Sequence, residues 1–200
     1  PVLLPPLSEQ SAIASYLDTQ CAKIDEIIAQ AKASIENYKQ WKASIIYEAV
    51  TKGLDPNVEM KDSGIEWIGE IPAHWSITRM KSILENITVK NHPDAEVLSL
   101  YRDYGVLPKN SRDDNHNVTS EDTTQYKYVE VGNLVINKMK AWQGSLAVSG
   151  YEGIVSPAYY VCKFRSEEVD KDYIHFLLRC SAYAQEFERL STGMRLSLIH

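Results

Sequence analysis

Lys138 and Lys140 stand two residues apart in the string NKMKAWQG, followed at once by Trp142, Gln143 and Gly144. On an extended segment, residues i and i+2 share a face. Both ammonium groups could then meet phosphate, while the Gln143 amide carries the donor–acceptor pair that matches an adenine edge. The competing reading of the same string is a solvated hairpin with Trp142 in the core. A second candidate region is the polar stretch 101–122, because long loops in small domains often carry function. Tyr101, Arg102, Lys109, Asn110 and Arg112 are its basic, aromatic and amide groups, and Thr192 and Arg195 flank Gly193 in a third segment. Any of these can equally be ordinary surface. Asp113, Asp114, Asn115 and His116 are ligand types for metals, but consecutive residues rarely point at one ion, and no H-E-x-x-H spacing supports them. His74, His92, His175 and His200 have no nucleophile or carboxylate at a useful spacing. There is no P-loop and no G-x-G-x-x-G. The expectation is a chain without catalysis, metal or cofactor of its own.

Charge tempers the nucleic-acid reading. The 200 residues carry a formal charge of −6, whereas phosphate binding is driven by Lys and Arg clusters that release counterions. Eight acids and five lysines fall in residues 1–60, so much of the excess acid sits away from the lysines of the second part. There Arg102, Lys109, Arg112, Lys127, Lys138, Lys140, Arg189 and Arg195 are sparse but could converge. No apolar run approaches the roughly 18 residues of a membrane span, and the start PVLLPPLSEQ does not look like a signal peptide. No membrane partner and a cytoplasmic location are expected. Cys21, Cys162 and Cys180 lack metal or disulfide spacing and read as buried small hydrophobes.

The elements that must position these groups are a long helix and a small sheet. From Leu17 the apolar positions step by four and three through Cys21, Ile24, Ile28, Ala31, Ile35, Tyr38, Lys42, Ile45 and Ala49, a heptad seam that asks for a partner helix. Lys42 is its one polar member, of the kind that can fix register. Pro5 and Pro6 forbid helix before Leu7, Ser8 is the expected N-cap, and Gly53 with Pro56 ends the run. Such a helix is about 65 Å long at 1.5 Å per residue. Ile13, Ile27, Trp41, Ile46 and Val50 widen the stripe, so a second partner surface is plausible. Residues 55–60 read as a linker and 61–75 as an irregular docking segment. Residues 76–84 are ambiguous, 96–101 are β-type, and strands are expected at 126–131, 134–137, 145–149 and 158–165. Helical spacing returns at 170–180 and 182–190. The fold class expected is α+β, a long coiled-coil helix plus a small mixed domain with a curled sheet.

Several strings resemble the specificity subunit of type I restriction-modification systems. They are LPPLSEQ (4–10), KID (23–25), AVTKGL (49–54), KDSGIEWIGEIPAHW (61–75), NLVINKMKAWQGSL (133–146) and GIVSPAYYV (153–161). The resemblance covers nearly the whole chain. It implies target-recognition domains that each read one half of a split DNA sequence, alternating with long helices that pair antiparallel and set the distance between the halves. It implies a non-catalytic subunit whose partners are double-stranded DNA, methyltransferase subunits that bring S-adenosylmethionine, and through them ATP-driven restriction subunits. On this footing residues 1–7 are the tail of one recognition domain, 8–54 the spacer helix, 55–60 a linker, and 61–200 a recognition domain incomplete at its C-terminal end. An antiparallel homodimer would let residues 1–7 of one chain complete the domain of the other. Because NKMKAWQG belongs to the shared strings, Lys138, Lys140, Trp142 and Gln143 are expected to position DNA. Specificity is expected from 101–122 and 191–195. Ile27, Trp41 and Ile46 are the expected methyltransferase-docking face, or else face the chain's own domain. The alternative from another class is a structural coiled-coil protein whose globular domain binds protein.

Overall fold

The structure, a computed structural model, describes residues 1–112, 120 and 122–191. Helix α1 (Leu7–Lys52) is a single α-helix of 46 residues. It starts on Pro6, whose carbonyl accepts the N–H groups of Glu9 at 2.9 Å and Gln10 at 3.0 Å, while the Gln10 amide donates to the Pro5 carbonyl at 2.7 Å. Ser8, the expected N-cap, therefore lies inside the first turn. Proline serves at this boundary because the N–H it lacks would have had no helical partner. The helix ends where expected. Gly53 has φ +82° and takes the left-handed position that closes helices.

Two compact units divide the chain, residues 1–45 and 46–200. In the first, the apolar stripe lies open: Leu17, Ile24, Ile28, Ile35, Tyr38 and Ile45 are exposed, and so are Ile13, Ile27 and Trp41. Cys21 is exposed as well, which corrects the expectation that all three cysteines are buried. Cys162 and Cys180 are buried.

The second unit is built on a four-stranded antiparallel sheet in the order β3 (Leu84–Ile87), β10 (Tyr159–Phe164), β7 (Leu134–Asn137), β8 (Leu146–Val148). Three two-stranded pairs accompany it: β1 (Met60–Asp62) with β2 (Glu70–Pro72), β4 (Leu98–Tyr101) with β5 (Gly105–Pro108), and β6 (Lys127–Val129) with β9 (Gly153–Val155). All are antiparallel and none closes into a barrel. The architecture is the expected α+β, with differences in detail. The segment 61–75 is not wholly irregular, because Met60–Asp62 pairs with Glu70–Pro72 across a turn in which the Asp62 carboxylate accepts the Gly64 N–H at 2.9 Å. The loop expected at 102–122 contains β5, a four-residue strand that the surrounding polar residues hid. The ambiguous stretch 76–84 resolves into the short helix α2 (Met80–Ile83) followed by the start of β3. Strand β9 had no counterpart among the expected strands.

Alternation along the central strands sorts the core into two faces. Val135, Ala147 and Val161 pack with Leu98, Leu100, Val106, Val129 and Val155 on one side. Leu134, Leu146 and Cys162 pack with Leu84, Ile174 and Leu178 on the other. The second face is covered by α3 (Lys171–Arg179) and α4 (Ser181–Leu190). Asp170 caps α3 by accepting the Tyr173 N–H at 2.7 Å.

Gly153 is required by close approach. A Cβ there would sit 2.3 Å from the Glu96 carbonyl oxygen and 2.8 Å from the Leu98 side chain. Gly153→Ala is expected to cost about 1–3 kcal/mol through overpacking, measurable as a lowered urea midpoint with an unchanged slope.

His175 accepts the Val148 N–H at its Nδ1, 3.2 Å away. Burial, aided by the Arg179 charge and only partly opposed by Asp172, lowers its pKa below the ordinary 6.5. The unfolded chain then binds the proton more readily, so stability falls as pH drops through about 6.5 and levels off below the folded-state value. Urea midpoints at pH 7.5 and pH 5 should differ more in the wild type than in His175→Asn.

Candidate nucleic-acid interface

Strand β7 ends at Asn137, and the chain turns there rather than continuing extended. The Asn137 carboxamide oxygen accepts the Met139 N–H at 2.9 Å, and the Asn137 carbonyl accepts the Lys140 N–H at 3.2 Å. A 3-10 turn, Ala141–Gln143, follows and closes on Gly144 at φ +74°. Lys138 and Lys140 therefore do not share one face of an extended run, which corrects that expectation. An Asx turn at Asn137 overrides the strand pattern. Trp142 is half-buried, neither fully in the core nor free of it, and its indole N–H donates to the Met139 carbonyl at 3.2 Å. Gln143 is half-buried beside it.

The turn brings Lys140 to a cleft of about 330 Å³ that Lys109 also lines, together with Tyr126, Asn137 and Tyr159. Lys109 is held there by its backbone: its N–H donates to the Val97 carbonyl at 2.8 Å, and its carbonyl accepts the Tyr101 hydroxyl at 3.1 Å. Arg112 stacks its guanidinium 4.0 Å from the Tyr104 ring centre and 5.7 Å from that of Tyr101. Such a contact holds the guanidinium plane in place.

Lys127 on β6 and Lys138 just past the end of β7 share one ring. Lys127 lies 5.6 Å and Lys138 4.7 Å from the centre of Tyr160. Each also donates to a backbone carbonyl, Lys127 to Tyr159 at 2.7 Å and Lys138 to Pro157 at 3.0 Å. Lys127 is only 7% exposed. Burial first, then the positive charges of Lys138 and Lys90, push its pKa below the ordinary 10.5. Lys90 is itself anchored on the Gln125 amide oxygen at 2.8 Å.

The arrangement can neutralise a polyanion. Lys127 on β6 and lysines in the turns and loops that follow other strands, with tyrosine rings beside them, offer point charges and flat faces of the kind that meet phosphates and bases. Of the residues singled out in the sequence, Tyr101, Lys109 and Arg112 are linked, Lys140 lines the same cleft as Lys109, and Lys138 meets Lys127 at the Tyr160 ring, outside the residues that line that cleft. Asn110 is exposed beside Lys109. Arg102 sits at the other end of the β4–β5 hairpin, where its carbonyl accepts from Arg179, so it is not brought to the cleft. Arg189 pairs bidentately with Glu186, both contacts at 2.6 Å, on α4. Thr192, Arg195, and the run Asp113, Asp114, Asn115 and His116 lie outside the described residues. No metal-ligating group of three or more His, Cys, Asp or Glu occurs among the described residues. No described helix is long and apolar enough to cross a membrane.

The site also contains residues that the sequence reading passed over: Lys90, Tyr104, Tyr126 and Tyr160, and Lys127 as a site residue rather than one more scattered base. A lysine between two tyrosines in QYKYVEV was the available signal, since a cation at an inward strand position needs a partner or a purpose.

The class these features define is a mixed α+β chain with an open heptad helix and a cationic, tyrosine-lined cleft. Among known proteins, the chain is similar to the type I restriction enzyme MjaVIII specificity subunit of Methanocaldococcus jannaschii. The two are 24% identical over 207 residues, covering 95% of this chain and 46% of that protein. The chain thus spans about half the length of the curated relative it matches. No protein-family model matches it.

Lys138→Gln is expected to raise the titration midpoint of Lys127 without restoring it fully, because burial remains. Side-chain carbon shifts followed by NMR from pH 8 to pH 11 would read this directly.

Proposed function

We propose that the chain is a DNA sequence-recognition subunit of a type I restriction-modification complex, carrying one recognition domain, residues 61–200, and one spacer helix. The observation that carries this reading is the likeness over 95% of the chain to a specificity subunit. It is supported by a cleft that Lys109, Lys140, Tyr126 and Tyr159 all line. In this reading Lys109, Lys138 and Lys140 hold phosphates. Tyr101, Asn110, Arg112 and Gln143 are the candidates for base or sugar contacts, and Trp142, whose indole N–H donates to the Met139 carbonyl, braces the turn that carries Gln143. Arg102, Thr192 and Arg195 remain candidate contacts from neighbouring segments. Methylation and cleavage belong to partner subunits, with Ile27, Trp41 and Ile46 as the methyltransferase-docking face. Ile27 and Trp41 are well exposed, whereas Ile46 is partly buried.

The spacer helix functions in this reading as an antiparallel pair with a second copy. Under a two-fold axis midway along α1, residue i faces residue 59 − i. Leu17 then meets Lys42, Cys21 meets Tyr38, Ile24 meets Ile35 and Ile28 meets Ala31, so every inner seam position finds another seam position. Charge agrees. The first half of α1 carries Glu9, Asp18, Asp25 and Glu26 against Lys23, while the second carries Lys32, Lys39, Lys42 and Lys52 against Glu36 and Glu48. An antiparallel pair sets acidic half on basic half. A symmetric dimer would read an interrupted palindrome.

A second reading, a coiled-coil scaffold whose globular domain binds protein, draws on the same open seam but leaves the lysine cleft without a role. Methylation-site sequencing in cells carrying this subunit with its methyltransferase partners separates the two, since a scaffold would direct no sequence-specific mark. In duplex-binding titrations with those partners, Lys109→Ala and Lys140→Ala should each weaken all sequences and lower the log–log salt slope by about 0.9. Gln143→Ala should relax one base position by about 1–3 kcal/mol if it reads adenine. Identical, sequence-independent losses in all three variants would remove Gln143 from base reading.

A further inference from the structure

The geometry points to the cleft in the 46–200 unit as the seat of one unstacked nucleotide, with its base against the Tyr126 and Tyr159 rings and its phosphate on Lys109 and Lys140. This deepens the DNA-recognition reading and rests on it for the source of that nucleotide. Phosphate contacts from a duplex need only surface cations. The cleft is instead a recess of about 330 Å³, inside the range of about 300–1,000 Å³ of pockets that take small organic ligands. Burial grades along it. Leu98 and Tyr126 are 2% and 9% exposed, whereas Met139 is 62% exposed and Lys140 is open. A buried end and an open, cationic end suit a nucleotide, whose flat base can leave water while its phosphate stays in it. Among the described residues that line the cleft none is a carboxylate, so nothing in its lining repels an anion.

The flat faces are held before a ligand arrives. The Tyr126 hydroxyl accepts the Ser120 N–H at 3.2 Å, and the Tyr159 hydroxyl is hydrogen-bonded to the Leu100 backbone. A base stacked on such a ring gains affinity with little sequence preference, because every base has a π face. Asn137 supplies the polar edge. Its carboxamide oxygen is taken by the Met139 N–H, which leaves its N–H2 group to donate, and each base offers a carbonyl or ring nitrogen to accept. A base held in this way has to leave the stack. Extrusion costs pairing and stacking, and the two rings with the two lysines are the groups that offset that cost.

Two experimental arms separate a free nucleotide from one taken out of a duplex. In the first, the full chain is titrated with each of the four deoxynucleoside 5′-monophosphates, and with inorganic phosphate for comparison, and followed by methyl and aromatic NMR. The nucleotides should shift the Met139 methyl and the Tyr126 and Tyr159 rings, which phosphate should leave unmoved. Tyr159→Leu should weaken binding by about tenfold. Ala158→Trp should block it, because Ala158 lines the cleft from an exposed position and its replacement leaves the core intact, as circular dichroism would check. In the second arm, 2-aminopurine is placed at successive positions of the methylated target duplex bound to the complex with methyltransferase subunits. A position whose fluorescence rises with the wild type and not with Ala158→Trp is the nucleotide drawn from the duplex, whereas a rise that persists belongs to a partner subunit. Ring shifts in the first arm with no such position make a free nucleotide the ligand. Rings that ignore the nucleotides or answer phosphate equally, together with no such position in the duplex, overturn the seat and leave sequence-directed methylation standing. A complex that directs no sequence-specific mark removes the recognition reading, and the first arm alone then decides the seat.

Discussion

Leu134 and Val135 are neighbours in the chain, and both are wholly excluded from water. That is possible only because β7 is covered on both faces, and the same holds for Leu146 with Ala147 on β8 and for Val161 with Cys162 on β10. Everything that positions the cleft depends on this double burial. On one face it seats α3, which packs on β8, and α4, which braces the 3-10 turn after Asn137. On the other it seats the β4–β5 and β6–β9 pairs, which carry Lys109 and Lys127. A one-residue slip of β7 would exchange the two faces and move Lys138 and Lys140 to different surroundings.

The polar features of the site follow from that frame. Backbone carbonyls of the SPAYY stretch, from Pro157 and Tyr159, take the two lysines that the neighbouring strands direct at them, and the Tyr160 ring separates the ammonium groups. A buried cation without a carboxylate is costly. Among the described residues the cost is met by dipoles and a π face rather than by an opposite charge.

Much of the framework was legible. The four-three stepping from Leu17, the glycine at 53 and the β-branched runs around Val135 and Val161 report local physics directly: helical period, left-handed φ and strand alternation. What was not legible was decided at short range by side chains acting on backbone. Asn137 turns the chain and ends the extended run that Lys138 and Lys140 seemed to need, and Pro6 takes the helix start from Ser8. Strand β5 was hidden because only Gly105, Val106, Leu107 and Pro108 separate polar flanks, and its partner β4 supplies the order. The convergence of Lys109 and Lys140, thirty-one positions apart, is a product of sheet topology that no local pattern encodes. Cys21 was misplaced for a simpler reason, since burial of a seam position requires a partner helix and the chain by itself supplies none.

Lys90, Lys127 and Lys138 also act on one another in a way that reaches beyond the cleft. Lys138 and Lys90, each in a segment just past the end of a strand, repel the Lys127 ammonium on β6 and add to what burial does to its pKa. An anion held beside Lys138 would offset part of that repulsion and bring the Lys127 pKa back towards its ordinary value.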